Sequence, residues 1–229
     1  MLESLRAEVL EANLELVRRG LVLYTFGNAS GVSRADGLVV IKPSGVPYEQ
    51  MTPAHMVITD LDGRVVEGNL RPSTDLATHV ALYRAFPSIG GVVHTHSRHA
   101  TSWAQARREI PCFGTTHADY FHGAIPVTDS LSPDEIQSAY EANTGVAIIR
   151  AMGSRDPLGC PAMLVAGHGP FCWGASVTEA AHTAVIVEEL AAMAWMTITI
   201  NPTAAPIGQP LRDKHHFRKH GATATYGQK

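Results

Sequence analysis

Apolar residues recur at three- and four-residue spacing from the start of the chain: Leu2, Leu5, Val9, Ala12 and Leu16, with Leu10, Leu14 and Val17 widening the stripe. This spacing predicts an amphipathic helix, closed by Arg18-Arg19-Gly20, since cations and glycine favour a helix C-terminus. The pattern then shifts to short apolar runs that end in small or polar residues. "LVLYTFGNASGV" predicts a strand running into a Gly-Asn-Ala-Ser-Gly loop, and "GLVVIKPSGVPY" a strand ending in the turn Lys42-Pro43-Ser44-Gly45. "MVITDLDGRVVEG" predicts a hairpin turning at Asp62-Gly63.

In "RPSTDLATHVALYRAFP" helical spacing returns, with Leu76, Val80 and Tyr83 on one face and Ser73 or Thr74 as the N-cap. "GGVVHTHS" predicts a strand, "RHATSWAQARR" a helix, and "PCFGTTHADYFHGAIPV" an irregular stretch. "SPDEIQSAYEANTGVAIIRAM" opens on a serine-proline-acid start signal and predicts a helix interrupted near Gly145. "PAMLVAGHGPFCWG" predicts a strand running into a glycine-rich turn that holds His168, and "SVTEAAHTAVIVEELAAMAWM" a long core helix. The remaining tail is proline-containing, polar and basic. No linker, repeat or low-complexity run divides the pattern, so alternating helices and strands predict one α/β domain. Strand pairing is not readable at this level.

Composition narrows the class. Hydrophobic residues make up 45% and charged residues 17% of 229, an ordinary soluble balance. A net charge of −3 gives no global basic field for nucleic acid, and the local "RDKHHFRKHG" cluster reads as a solvated tail. Cys112, Cys160 and Cys172 form no CxxC pair and leave an odd count, which suits a reducing cytoplasm. The first twenty residues carry charge throughout and lack the apolar core of a signal peptide. The apolar stretch over 180–200 contains His182, Glu188 and Glu189, too polar for a bilayer span, so no membrane partner is expected.

Histidine is where the chemistry lies. In an extended segment His94 and His96 face the same way, because side chains alternate with period two. His168 follows another apolar strand, between glycines. A lone His-x-His is usually an ordinary hydrogen-bonded pair at a strand end. Three neutral imidazoles with an open position describe a catalytic zinc-type site. "GNASG", "KPSG" and "PSTD" supply exposed amides, small hydroxyls and a helix N-terminus, the parts of an anion cradle, with Lys42 adding a point charge suited to phosphate. Asp75, taken alone, is a helix-favourable first-turn acid, and Tyr226 in a terminal tail carries no signal of its own.

"GNASGV", "IKPSGV", "RPSTD", "FPSIGGVVHTHSRHAT", "GTTHADYF", "HGPFCWG" and "RKHGATATYGQ" together resemble the class II aldolase and adducin-head family. Within it the chain is similar to the bacterial L-ribulose-5-phosphate 4-epimerases, from the first helix to the final tyrosine. The resemblance implies one three-layer α/β/α domain over residues 1–229 around a mainly antiparallel sheet. The tail from about residue 205 would complete an active site, in a homotetramer with sites between subunits. It implies that His94, His96 and His168 hold zinc, or manganese or another divalent ion, with Asp75 at the family position beside the metal. Asn28, Lys42, Ser44, Gly45, Ser73 and Thr74 would surround the phosphate of a sugar-phosphate substrate. Thr115, Glu141 and His215 would complete the site, several of these groups reaching it from the adjacent subunit. Asp119 and Tyr226 would act as the acid/base pair. Their ordinary pKa values lie about 6 units apart, so the local field must bring both towards neutrality.

Aspartate at position 75 favours the epimerase branch, because related fuculose-phosphate aldolases carry a glutamate acid/base there. Ser73-Thr74-Asp75 departs from the Ser-Ser-Asp common in epimerases, but keeps the hydroxyl. The alternatives are a class II aldolase of fuculose- or rhamnulose-phosphate type, a decarboxylase on the same scaffold, and a non-catalytic adducin-like module, which would be expected to lose the metal histidines.

Overall fold

The computed structural model describes residues 1–220 together with Ala224 and Thr225. Among these, the chain forms the strands β1 (Asn28–Ser33), β2 (Leu38–Ile41), β3 (Val57–Asp60), β4 (Val65–Glu67), β5 (Gly91–His94), β6 (Ala162–Leu164) and β7 (Pro170–Gly174). They build a single sheet in the order β4-β3-β2-β1-β5-β7-β6, with every neighbouring pair antiparallel. The helices are α1 (Glu3–Arg18), α2 (Leu76–Ala85), α3 (Arg98–Gln105), α4 (Thr115–Ala118), α5 (Pro133–Met152), α6 (Val177–Ile200) and α7 (Gln209–His220).

Period-two alternation divides the strands between two cores. Val40, Val93, Cys172 and Leu164 face one cluster with α1, α3 and α6. Val39, Ile41, Val92, Phe171 and Trp173 face the other, with α2 and α5. Both faces are covered at the centre of the sheet, so β2 and the Val92-Val93 stretch of β5 read as unbroken apolar runs instead of alternating ones. The result is a three-layer α/β/α arrangement around an antiparallel sheet, as the sequence resemblance implied.

Several local expectations need correction. Residues 21–26 form no strand: Leu21 and Val22 are buried, but Leu23, Tyr24 and Phe26 are exposed, and Tyr24 takes φ 53°. The strand is the supposed loop, Asn28–Ser33, which pairs with β2 on one side and β5 on the other. Its small residues have little strand propensity but allow close cover; a Cβ on Gly31 would meet Leu5 of α1 at 2.8 Å. Neither Ser73 nor Thr74 caps α2; Asp75 occupies that position, without a side-chain cap bond. The interruption in α5 falls at Ala139 (φ −147°, ψ 70°), while Gly145 sits helically against Ala81 of α2. The segment around His168 is a whole hairpin, β6 and β7, and the irregular stretch and basic tail contain α4 and α7.

By length and a mean hydropathy of 1.5, α6 would suit a bilayer span. It packs instead against β5, β7, α1 and α3 and carries the partly buried Glu188, as the core-helix reading expected.

Glycines 31, 91 and 174 lie opposite one another across β1, β5 and β7. A Cβ on Gly91 would stand 2.3 Å from the Val177 Cα and 2.6 Å from the Ser176 carbonyl oxygen, both backbone atoms. Gly91→Ala should therefore cost roughly 1–3 kcal/mol or more in denaturant unfolding. Gly123→Ala, with nothing within 4 Å, should stay within about 0.5 kcal/mol of the parent.

His79 and His117 are two of the buried imidazoles. His79 shares Ser30 Oγ (2.7 Å), which also meets the Tyr83 hydroxyl (2.8 Å), and His117 Nε2 bonds the Gly123 carbonyl at 2.8 Å. Burial holds both well below the ordinary histidine value, His79 to about 3 and His117 to about 4. The unfolded chain takes up these protons near pH 6.5, so the stability gained by keeping them neutral is present above that pH and is lost as pH falls towards 4. His117→Gln should flatten the slope of unfolding free energy against pH between about 6.5 and 4; an unchanged slope would remove His117 from that account.

Candidate active site

Antiparallel register gathers the candidate residues at one end of the sheet. There β1 and β7 begin while β2 and β5 end: Asn28 stands opposite His94, His94 opposite Phe171, and Ser30 opposite Ile41, the residue before Lys42. His168 sits in the turn just ahead of β7 and His96 just beyond β5.

Nε2 of His96 lies 3.0 Å from Nε2 of His94 and 3.1 Å from Nε2 of His168. Three ring nitrogens 2.0–2.1 Å from a tetrahedral zinc would stand about 3.3 Å apart, close to the two spacings about His96, and all three ligand atoms lie within 4.8 Å of one another. His94 Nδ1 donates to the Pro170 carbonyl at 3.0 Å, which leaves its Nε2 as a bare lone pair. His96 has one Nε2 hydrogen at most, so it cannot satisfy both neighbours. The donor set suits a cation. Burial first, then the neighbouring His168 and His96, holds His94 well below the ordinary histidine value. His168 is lowered by burial and by His96, with Asp75 and Glu141 opposing. Neutral ligands are thus favoured, and the exposed His96 leaves one side open.

The ligand-bearing segment is anchored from below. Ser97 gives α3 no side-chain cap. Glu188 of α6 does so instead, accepting the His99 amide and His99 Nδ1 on Oε1 (2.9 and 2.8 Å) and the Ala100 amide on Oε2 (2.9 Å). Burial works to raise this carboxyl, but those bonds outweigh it and hold it below the usual range.

Beside the histidines lies a cleft of about 410 Å³. Asn28, Lys42, Ser44 and Gly45 line it from the ends of the strands, and Ser73, Thr74 and Asp75 from the start of α2. Backbone bonds from Ser44 N to the Arg71 carbonyl and from Ser73 N to the Lys42 carbonyl (both 2.9 Å) hold the two turns side by side. Lys42 is only 2% exposed, with Nζ 4.8 Å from the Tyr48 ring centroid and near the carbonyls of Pro43 (3.2 Å) and Thr25 (3.4 Å). Among the described residues no carboxylate lies within salt-bridge distance of it, and burial lowers its pKa. A buried ammonium with only neutral partners favours an incoming anion. Asp75 lines the cleft but is not one of the converging ligands; its Oδ2 accepts Asn28 Nδ2 at 2.6 Å.

Glu141 lines the cleft too, and beside it stands Tyr140, which the sequence reading missed. The only signal was local: Ser138, Asn143 and Thr144, residues that compete for backbone bonds, crowd mid-helix. Thr115, Asp119 and His215 do not line the cleft, and Tyr226 lies outside the described residues. Asp119 follows α4 and is held by α7. Its Oδ1 meets His215 Nδ1 at 3.1 Å, Arg218 donates to both oxygens at 2.8–3.2 Å, and Lys219 Nζ lies 3.5 Å away. Burial would raise this carboxyl, but Arg218, His215 and Lys219 prevail and hold it below its ordinary value. Within one chain the local field therefore moves Asp119 away from neutrality, opposite to the expected direction. "FRKHG" held that information, since Arg218 and Lys219 are two of its residues.

Comparison with known proteins places these features in a wider setting. Over 228 residues, and over the full length of both chains, the sequence is 55% identical to L-ribulose-5-phosphate 4-epimerase UlaF of Salmonella paratyphi B and to its counterpart from Salmonella typhi. An L-fuculose 1-phosphate aldolase superposes with a TM-score of 0.78 at 22% identity, covering 93% of this chain and 94% of the other. The L-fuculose 1-phosphate aldolase from Glaciozyma antarctica PI12 gives 0.77 at 16%, covering 97% and 83%. At those identities the likeness is one of fold. Residues 7–195 match the Class II Aldolase and Adducin N-terminal domain, most of the 229-residue chain, and on that ground the protein belongs to the class II aldolase and adducin family.

Proposed function

We propose that this protein is an L-ribulose-5-phosphate 4-epimerase, interconverting L-ribulose 5-phosphate and D-xylulose 5-phosphate. The full-length 55% identity to proteins of that name carries the reading. The cleft that joins three converging imidazoles to an unpaired lysine supports it chemically.

Epimerising C4 of a 2-ketose by simple proton removal is unfavourable. The C4 hydrogen is β to the C2 carbonyl, so the resulting carbanion is not conjugated with it. Cleaving C3–C4 instead leaves the electron pair on C3, delocalised onto the C2 oxygen as an enediolate, and C4 departs as glycolaldehyde phosphate. The aldehyde turns and C3 attacks its other face, which inverts C4 with no net cleavage. His94, His96 and His168 would hold a divalent cation, which would supply Lewis-acid stabilisation of the charge on the ketose oxygens. Zinc is the ion proposed, with manganese or another divalent ion the alternative, since three imidazoles with an open position match the coordination of catalytic zinc.

The chain's own groups then divide the work. Lys42, with Ser44, Gly45, Ser73, Thr74 and Asn28, binds the phosphate and keeps the aldehyde in the cleft while it turns. Asp75, close to the cation site, holds Asn28 in place. Asp119, kept ionised by Arg218 and His215, accepts the C4 hydroxyl proton on one face, and Tyr226 serves the other. Thr115 and His215 accompany Asp119, and Glu141 stands on the cleft side. Because the Asp119 group does not line the cleft of its own chain, we assign it to the site of a neighbouring subunit in a homotetramer. The free cysteines 112, 160 and 172 support a cytoplasmic location. An aldolase of fuculose-phosphate type is the alternative, and Asp75 in place of glutamate weighs against it.

Incubation of the purified protein with L-ribulose 5-phosphate should yield D-xylulose 5-phosphate without accumulating aldehyde; free glycolaldehyde phosphate as the main product would instead make it an aldolase. His96→Asn should weaken zinc binding in a chelator competition by more than about 100-fold, beyond the loss of an outer-shell partner, and lower epimerisation in parallel. Asp119→Asn should cut epimerisation by about 100-fold or more, the scale of a lost general acid–base. It should keep slow aldol condensation of dihydroxyacetone with glycolaldehyde phosphate, and an equal fall in both activities would move Asp119 out of the C4 step.

A further inference from the structure

Tyr140 stands immediately after the break in α5. Ala139 leaves helical geometry there, and the Glu135 carbonyl four residues earlier takes Asn143 Nδ2 at 2.7 Å. Asn143 Nδ2 also donates to Ser138 Oγ at 3.0 Å. The helix resumes at once: Thr144 Oγ1 donates to the Tyr140 carbonyl at 2.8 Å, and Thr78 of α2 donates to the Glu141 carbonyl. The bend is thus closed by side chains on both sides. Its consequence is positional. The Tyr140 ring tilts at 37° to that of His168, with centroids 5.9 Å apart, and the phenol oxygen lies 3.2 Å from His168 Nδ1.

His168 needs an external partner more than His94 does. It sits between Gly167, at φ +74°, and Gly169, in a turn with little side-chain bulk of its own. His94 is fixed twice, by the Pro170 carbonyl and by stacking on Phe171 at 4.2 Å. For His168 Nδ1 the described hydrogen-bond partner is the Tyr140 hydroxyl. That hydroxyl can either donate to Nδ1 or accept from it. If it donates, Nε2 carries a hydrogen aimed at the other two imidazoles. If it accepts, Nδ1 carries the hydrogen and Nε2 offers its lone pair, the form a cation requires. The hydroxyl's own proton then points away from His168, on the side where Thr144 and the cleft lie.

We infer that Tyr140 is a positioning residue: held by the Ala139 break, it accepts the His168 Nδ1 hydrogen and so selects the ring form whose Nε2 takes the cation. This rests on the metal-site part of the proposed function.

Zinc affinity, read by chelator competition on the purified protein, tests the inference without relying on turnover. Tyr140→Phe keeps the ring and removes the oxygen. It should bind zinc about 10–100-fold more weakly than the parent, the usual cost of an outer-shell partner, with the metal-free melting temperature unchanged. A purely structural role would lower that melting temperature and leave the affinity alone, overturning the inference. Equal zinc affinity in parent and variant would also overturn it while leaving the epimerase reading standing. A parent that binds no zinc would overturn the metal site and this inference together. Should the variant not fold, nitrogen-15 NMR of the zinc-loaded parent decides. A His168 Nδ1 hydrogen protected from solvent exchange supports the inference, and a rapidly exchanging one overturns it.

Discussion

Three imidazole nitrogens meet within 3.1 Å of their neighbours, one of them stripped of its hydrogen by a backbone carbonyl. Lone pairs so close oppose one another unless a positive charge lies between them. The fold keeps them there by constraints that do not depend on the ion. β5 is pinned between β1 and β7, His94 is stacked and hydrogen-bonded, and Glu188 fixes the start of α3 two residues beyond His96. A rigid sheet end thus prepays the ordering of the ligands, leaving less to be ordered when a cation binds.

The same sheet end explains why a buried ammonium stands next to the three imidazoles. Lys42 leaves β2 where His94 leaves β5, because β1 pairs antiparallel with both strands. Lys42 is held among carbonyls and an aromatic face, a buried positive charge with no carboxylate at salt-bridge distance among the described residues and Asp75 acting on it from farther off. On the proposed function, a sugar phosphate would bring to this cleft a phosphate for one end and a polarisable ketose for the other. Proximity here is a property of register, more than of any single residue.

Asp119 belongs to a different piece of the molecule. α4 and α7 pack against each other, and the basic face of α7 surrounds the carboxylate. The cluster keeps Asp119 ionised and oriented, which suits a proton acceptor better than a neutral acid. In the proposed reaction such a base is weak, so its value would lie in placement, the proton being drawn off the hydroxyl as the C3–C4 bond opens.

Much of this was legible in the sequence, and the reason is local. Helix spacing in α1 and α6, the Asp62-Gly63 turn and the alternation behind "VVHTH" are short-range patterns that sterics enforce wherever the segment lies. The three histidines and the turn residues around Lys42 and Ser73 could be singled out for the same reason, since each sits near a glycine, a strand end or a helix start, whereas Thr115, Asp119, Glu141, His215 and Tyr226 were named only through the family resemblance. Tertiary structure alone decided the rest. It made a central strand of Asn28–Ser33, whose small residues favour a loop until β2, β5 and α1 close on it. It moved the break in α5 from Gly145 to Ala139, where side chains could capture the freed backbone groups. It also folded the basic tail onto Asp119. Each of those outcomes depends on partners tens of residues away, and a pattern read one segment at a time contains no term for them.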